Sequence, residues 1–434
     1  MHINVNEFSK PCECHLQHNI FVKDIIIEAC ALKKLPDLLS KTFDKEFDNS
    51  YDKISIICDD NTYEAAGKTV ESLLTGSFLV KLSANNLHAD NHGVESAESQ
   101  LPNKTKLILA VGSGTIHDIS RFLAHKYNIP FVSIPTAASV DGFVSTVAAM
   151  TWNGLKKTFP AVSPILVVAD TNVFMNAPYR LTASGISDLL GKYTALTDWK
   201  IAHLVTGEYI CNRVCELEYQ ALEEVCSCIN DLRNASNYDN RLKAYEQLMY
   251  ALLLSGLAMQ MVGNSRPASG SEHHISHLWE MEVINPHINA LHGEKVSIGL
   301  VLATHSYHKI KDAIRKNEFE LISYQGMEHD LLKETFGAKG LYEGVLEENS
   351  IDPLQQIDLE HFKNSLTEIA DIIDKLPTEE DLISLLTNAG CMKNMNEIGL
   401  DETLIPITLR LSPYVRNRLT MMRLLKLITV KVDK

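Results

Sequence analysis

Between residues 53 and 168 the chain repeatedly sets a short apolar run, rich in β-branched residues, ahead of a segment with helical spacing. The runs cover 53–58, 78–82, 106–111, 131–134 and 165–168, and most lack the polar–apolar alternation of a half-solvated strand. Strands that are apolar on both faces belong to a parallel sheet covered by helices. Helical spacing follows over 61–75, with Ala65, Ala66, Val70, Leu73 and Leu74 on or near one stripe, and again over 115–127. Ligands on such sheets bind beyond the carboxyl ends of the strands. The residues just after each run are therefore the ones to inspect.

From Pro178 onward the pattern changes to long helical segments, at 182–205, 212–230, 242–262, 294–309, 359–376, 379–389 and 415–430. The expected architecture is α/β plus all-α: residues 1–175 a parallel-sheet dinucleotide-binding domain, and residues 176–434 an all-helical domain for metal and substrate. Residues 84–103 are expected to be a polar loop, and the polar, acidic stretch 312–358 to be solvated.

Composition excludes several classes of function. The formal net charge of −15 argues against a nucleic-acid or anionic-membrane partner, which would need a basic face, and leaves room for a local basic pocket. Residues 1–14 contain no apolar segment of the kind that opens a secretory signal, which points to a cytoplasmic protein. The apolar stretch from Leu248 to Val262 is shorter than the ~20 residues of a membrane span. The basic stretch Tyr414 to Val430, with Arg416, Arg418 and Arg423, is read as a packed terminal helix rather than a membrane-surface one. Nine cysteines form no disulfide-like framework and fit a reducing compartment. Cys12 and Cys14 with His15, and Cys211, Cys215, Cys226 and Cys228, are read as incidental thiols; structural zinc normally uses tight knuckles on turns.

Three post-strand segments carry the nucleotide argument. Residues 110–118 (AVGSGTIHD) form strand, glycine turn and helix start, where unpaired helix amides suit a phosphate. His117 stands where a dinucleotide fingerprint has its third glycine. Asp59 ends an earlier strand, and is open to two readings: partner of a ribose diol, favouring NAD over NADP, or helix cap. Thr136 and Ser139 in residues 134–142 (IPTAASVDG) offer hydroxyls for nicotinamide or ribose, or for turns.

The helical half carries the metal argument. Asp188 lies near an apolar helical stripe, with Lys192 four residues on as an ordinary partner. Three histidines, His273, His274 and His277, fall within five residues, and His292 stands just before another helix. His273 and His277 project from one helix face. Imidazole and carboxylate together suit zinc, nickel or iron(II). No HExxH is present, so a metalloprotease is not indicated.

In the order AVGSGTIHD, IPTAASVDG, SGISDLLGKYTALTDW, RPASGSEHHISH and LHGEKVSIG, the chain resembles the bacterial sn-glycerol-1-phosphate dehydrogenases over roughly residues 20–430. Their wider group includes iron-containing alcohol dehydrogenases, glycerol dehydrogenases and dehydroquinate synthases. The resemblance implies a two-domain, homodimeric, NAD- or NADP-dependent oxidoreductase that interconverts dihydroxyacetone phosphate and sn-glycerol 1-phosphate. It implies Asp188, His273 and His292 as ligands of one divalent ion, with Asp141, Asp188 and His277 contacting substrate and Asp141 and His277 serving catalysis. It places cofactor on Gly114, Thr115, Ile116, His117 and Asp118, on Thr136, Ala137, Ala138 and Ser139, on Ser145, and on Asp59 at the adenosine ribose. The three-residue histidine spacing of glycerol dehydrogenases would instead select His274 with His277; the four-residue spacing is preferred. Arg266, or Lys156 and Lys157, is the expected phosphate seat, with the lysines read chiefly as surface groups. A glycerol dehydrogenase acting on unphosphorylated polyol is the alternative, ahead of a dehydroquinate synthase and of a non-catalytic metal- or nucleotide-binding protein.

Overall fold

The computed structural model describes residues 3–47 and 50–431. Residues 1 and 2 of the N-terminal stretch and the last three residues of the second expected domain lie outside them. Contacts divide the chain into two units, Met1–Leu189 with Glu216–Ser265, and Leu190–Cys215 with Arg266–Lys434. The partition thus departs from the expected boundary at 175/176. Helices α4 (Tyr179–Leu190) and α7 (Tyr238–Val262), and most of α6 (Asn212–Asn234), group with the sheet.

In the first unit, β1 (Asp24–Glu28), β2 (Ile54–Asp59), β3 (Phe78–Leu82), β4 (Leu107–Gly112), β5 (Phe131–Pro135) and β8 (Leu166–Asp170) form one parallel sheet in the order β1-β8-β5-β4-β2-β3. Successive residues serve opposite faces. Leu107, Leu109 and Val111 join the layer of α1 (Leu35–Thr42), while Ile108 and Ala110 join that of α2 (Asn91–Glu98) and α3 (Gly114–Tyr127). Each large apolar side chain buried this way contributes about 1.5–3 kcal/mol, and the buried hydroxyls on these strands, Ser55 and Ser133, are paired with Thr105 at 2.8 Å and with His117 at 2.7 Å. Gly112 pairs with Pro135, so β4 and β5 end level and their following turns share one edge.

The sequence reading missed β1, α2 within the supposed loop 84–103, and the antiparallel hairpin β6 (Val147–Trp152) and β7 (Leu155–Pro160). The hairpin turns on Asn153 and Gly154, both at positive φ, a two-residue loop of the kind that Asn-Gly favours. Trp152 and Phe159 stack with Phe122 of α3, with ring centroids 5.1–5.5 Å apart.

The second unit is helical around α5 (Lys192–Thr206), α8 (Ser271–Glu280), α9 (His292–Lys316), α10 (Leu359–Ile373) and α11 (Glu379–Ala389). It is not purely so: β9 (Phe319–Leu321) and β10 (Ile428–Val430) pair antiparallel. The helix expected over 415–430 is broken into a short turn, Met421–Leu424, capped by Thr420. Its basic residues do not form an outer face. Arg423 is fully buried, donating to Asp352 at 3.2 Å, to Asn349 at 2.9 Å and to the Pro413 and Arg416 carbonyls. Removing one partner of a buried pair leaves the other charge uncompensated. Arg423→Ala is therefore expected to lower the unfolding free energy by about 3–5 kcal/mol in urea titration, and a loss below about 0.5 kcal/mol would contradict the pairing.

Candidate active site

In the sheet unit the site begins at the turn between β4 and α3. A Cβ on Gly112 would meet Ile116 at 2.5 Å, so only glycine lets the helix start directly after the strand. Ser113 Oγ lies 2.6 Å from Ser139 Oγ and ties this turn to the one after β5. The amides opening α3 are those a helix leaves without an intrahelical acceptor, next to partly exposed Gly114, Thr115 and Asp118.

Other expected cofactor residues are inward-facing. Ile116 is core. His117 is buried, with Nδ1 2.9 Å from the Ser113 carbonyl and Nε2 2.7 Å from Ser133 Oγ. A carbonyl can only accept, so Nδ1 carries the hydrogen and Nε2 accepts from Ser133. Burial drives its pKa down to about 3. Thr136, Ala137, Ala138 and Ser139 are also buried, with the Thr136 amide donating to the Gly112 carbonyl at 2.9 Å. Their turn is clamped by α4: a Cβ on Gly185 would stand 2.2 Å from the Ala138 carbonyl, and Ser184 donates to the Ser139 carbonyl at 3.2 Å. Ser145 Oγ binds the Val147 backbone. Asp59 caps the helix after β2, accepting from the Thr62 amide at 2.8 Å, as one of its two readings had it.

Asp141 and Asp188 meet within this unit. The Asp141 amide donates to Asp188 Oδ2 at 3.0 Å, and Ser255 Oγ lies 3.0 Å from Asp141 Oδ2 and 3.1 Å from the fully buried Glu218. A Cβ on Gly256 would come within 2.8 Å of the Asp141 carbonyl, so α7 must pass here without a side chain. The sequence reading named neither Glu218 nor Ser255. It also omitted Arg121, buried on α3, whose guanidinium donates to the Phe143, Ser145 and Val147 carbonyls at 3.0 Å and holds the segment that follows Asp141.

In the helical unit, His273, His277 and His292 form a triangle with ring centroids 6.0, 5.2 and 5.7 Å apart. His273 Nδ1 lies 2.7 Å from Glu272. Glu280 takes His277 Nδ1 at 3.0 Å on one oxygen and His292 Nδ1 at 3.1 Å on the other, with the Lys295 ammonium also at 3.1 Å. Burial alone would raise the Glu272 carboxyl, but bonds from His273, Thr194 and the Gly270 amide outweigh it and hold its pKa below the ordinary range. Carboxylates at all three Nδ1 atoms leave the Nε2 lone pairs for a ligand, the support that metal-binding imidazoles require. The donor set therefore fits a divalent ion. Glu272 and Glu280 were not singled out from sequence, although Glu280 lies one turn beyond His277.

His274 stands apart. It is buried, neither ring nitrogen has a hydrogen-bond partner, and burial with the nearby Arg418 holds its pKa well below the ordinary histidine range. Arg266, the expected phosphate seat, is buried, binds Glu208 through Nε and Nη2 at 2.8 and 3.1 Å, and donates to the Leu419 and Asp198 carbonyls at 2.7 and 3.3 Å. Lys156 and Lys157 lie on the hairpin strand β7.

A family profile described as iron-containing alcohol dehydrogenase matches residues 26–178. The glycerol-1-phosphate dehydrogenase [NAD(P)+] of Geobacillus thermodenitrificans is 31% identical over 428 residues, 96% of either chain. That of Pyrococcus furiosus is 33% identical over 287 residues, 65% of this chain and 80% of its own. The chain belongs to the glycerol-1-phosphate dehydrogenase family. Among solved structures, a Red Sea brine-pool archaeal alcohol dehydrogenase matches with TM-score 0.61 at 15% identity, covering 98% of this chain and 97% of that one. A probable glycerol dehydrogenase from Sinorhizobium meliloti matches with TM-score 0.58 at 15% identity, covering 94% and 92%. These two bear on the fold, which is that of the wider alcohol dehydrogenase group.

Within this family member, His117 makes a testable contribution to stability. Its folded pKa, about 3, lies below the unfolded 6.5, so the unfolded chain binds the extra proton between those values. The stability it contributes is complete above pH 6.5 and is lost as pH falls toward 3. The unfolding free-energy difference between wild type and His117→Gln is therefore expected to widen as pH rises from about 3 to about 6.5, and to stay level above. A difference independent of pH would contradict a neutral, buried imidazole.

Proposed function

We propose that this chain catalyses the NAD(P)-dependent interconversion of dihydroxyacetone phosphate and sn-glycerol 1-phosphate with one divalent ion, zinc, nickel or iron(II). The observation that carries the reading is the 31% identity across 96% of both chains to an enzyme named for glycerol 1-phosphate and NAD(P)+. The carboxylate-oriented histidines supply chemistry that suits it.

Asp188, His273 and His292 are the proposed ion ligands. These residues would hold an ion whose Lewis acidity would act on the substrate oxygen, and the cofactor, when bound, would supply hydride-transfer chemistry. The chain does the rest. The helix amides from Gly114 to Asp118 bind the cofactor phosphates, and the clamped turn Thr136–Ser139 and Ser145 position its nicotinamide half. Asp59 reaches the adenosine ribose while its other contact holds the cap. Asp141, fixed by Ser255, orients the substrate. His277 handles the substrate hydroxyl proton at Nε2, because Glu280 already takes its Nδ1–H. Among the described residues no helix is long and apolar enough to cross a membrane. The proposal is completed by a cytoplasmic homodimer that binds neither nucleic acid nor membrane.

Purified protein should reduce dihydroxyacetone phosphate with NADH or NADPH, lose that activity to a chelator, and regain it with zinc, nickel or iron(II). Glycerol should be oxidised at least ~100-fold less efficiently than glycerol 1-phosphate, since a site built for a charged group rejects the analogue lacking it. Preference for glycerol would establish the polyol dehydrogenase instead, and no activity on either substrate with any of the three metals would overturn the enzyme reading.

A further inference from the structure

A second cluster of metal-binding side chains lies far from these residues in sequence. The segment from Lys10 to Lys23 has no helix or strand, yet it is packed: His18 and Val22 are buried, at 1% and 2% exposure. Its few main-chain bonds include a tight turn in which the His15 amide donates to the Cys12 carbonyl at 3.0 Å. That turn presents Cys12 and Cys14 together. One donor atom from each of Cys12, Cys14 and His18 lies within 4.8 Å of the others, and Cys14 Sγ is 3.3 Å from His18 Nε2.

The protonation of His18 follows from its other nitrogen. Nδ1 is 2.7 Å from the Met261 carbonyl, which can only accept, so Nδ1 carries the hydrogen and Nε2 turns its lone pair toward Cys14. A backbone carbonyl on the distal nitrogen is how proteins orient a metal-binding imidazole. Ordering an irregular fourteen-residue segment costs conformational entropy, about 1–2 kcal/mol for each residue fixed. Metal binding offsets that cost directly.

We propose that Cys12, Cys14 and His18 bind a structural zinc-type ion distinct from the proposed catalytic one. Two thiolates and one imidazole are ligands that select a soft, redox-inert ion. The ion's role is to fasten the chain entering β1 onto the end of α7, where Met261 lies. From sequence alone these cysteines read as incidental thiols, for want of a tight knuckle on a turn. The turn that forms the knuckle is visible only in the fold.

Cobalt(II) substitution of the full-length protein separates this site from the histidine–carboxylate one, because only thiolate ligands give intense sulfur-to-cobalt charge transfer in the near ultraviolet. The wild-type protein should show that band. Cys14→Ser should lose it together with about one equivalent of bound metal, as loss of one of so few protein ligands requires. Asp188→Asn should keep the band, which makes failure of the catalytic-site reading distinguishable from failure of this one. Cys226→Ser should also keep it. Wild-type protein without the band overturns the site whether or not any variant folds, as does a band that survives Cys14→Ser.

Discussion

Glu280 accepts from His277 through one oxygen and from His292 through the other, and this shared carboxylate decides what the helical unit can bind. Each imidazole has one nitrogen for orientation and one for a ligand. With Nδ1 committed at His273, His277 and His292, the Nε2 lone pairs are preset before any ion arrives. Helix geometry adds the selection. His277 and Glu280 stand three residues apart on one face of α8, and His273 one turn earlier shares it, whereas His274 is turned by about 100° into the core. The proposal of His273 over His274, preferred in the sequence on spacing, is supported by the carboxylate that backs the His273 ring.

The sheet unit works by close approach. Gly112, Gly185 and Gly256 stand where a Cβ would strike Ile116, the Ala138 carbonyl or the Asp141 carbonyl. Together they let α3, α4 and α7 come near the turns after β4 and β5. Because those turns are buried, their polar groups need partners, and Ser113, Ser184, Arg121 and Ser255 provide them. Asp141 is held at its carboxylate by Ser255, while its amide orients Asp188. A buried polar network of this kind stiffens only when every member is satisfied.

The central strands and the long helices were legible in the sequence, because burial on both faces of a sheet, or along one stripe of a helix, writes a period into the side chains. β1 was missed as a short edge strand. The β6–β7 hairpin was missed although Asn153-Gly154 is a strong turn signal, since Lys156 and Lys157 made its second strand look like solvated chain. The terminal helix over 415–430 was over-read: Arg416, Arg418 and Arg423 gave an amphipathic pattern, but Arg423 is buried against Asp352. In the site, the residues proposed to carry chemistry came from motif, spacing and the family resemblance. Of their supports, Glu218, Ser255 and Arg121 act through contacts that sequence distance hides, whereas Glu272 and Glu280, beside His273 and one turn beyond His277, read as ordinary helix acids. The Glu208 partner of Arg266 is hidden likewise, 58 positions away.

The central claim is that histidines oriented through Nδ1 hold one catalytic ion and that His273, rather than His274, is one of them. Metal content of His273→Gln, purified beside wild type, tests it most directly. The account predicts a loss of about one metal equivalent per chain, as deletion of one of three protein ligands at an open catalytic site would cause. Full wild-type metal content in that variant would contradict it.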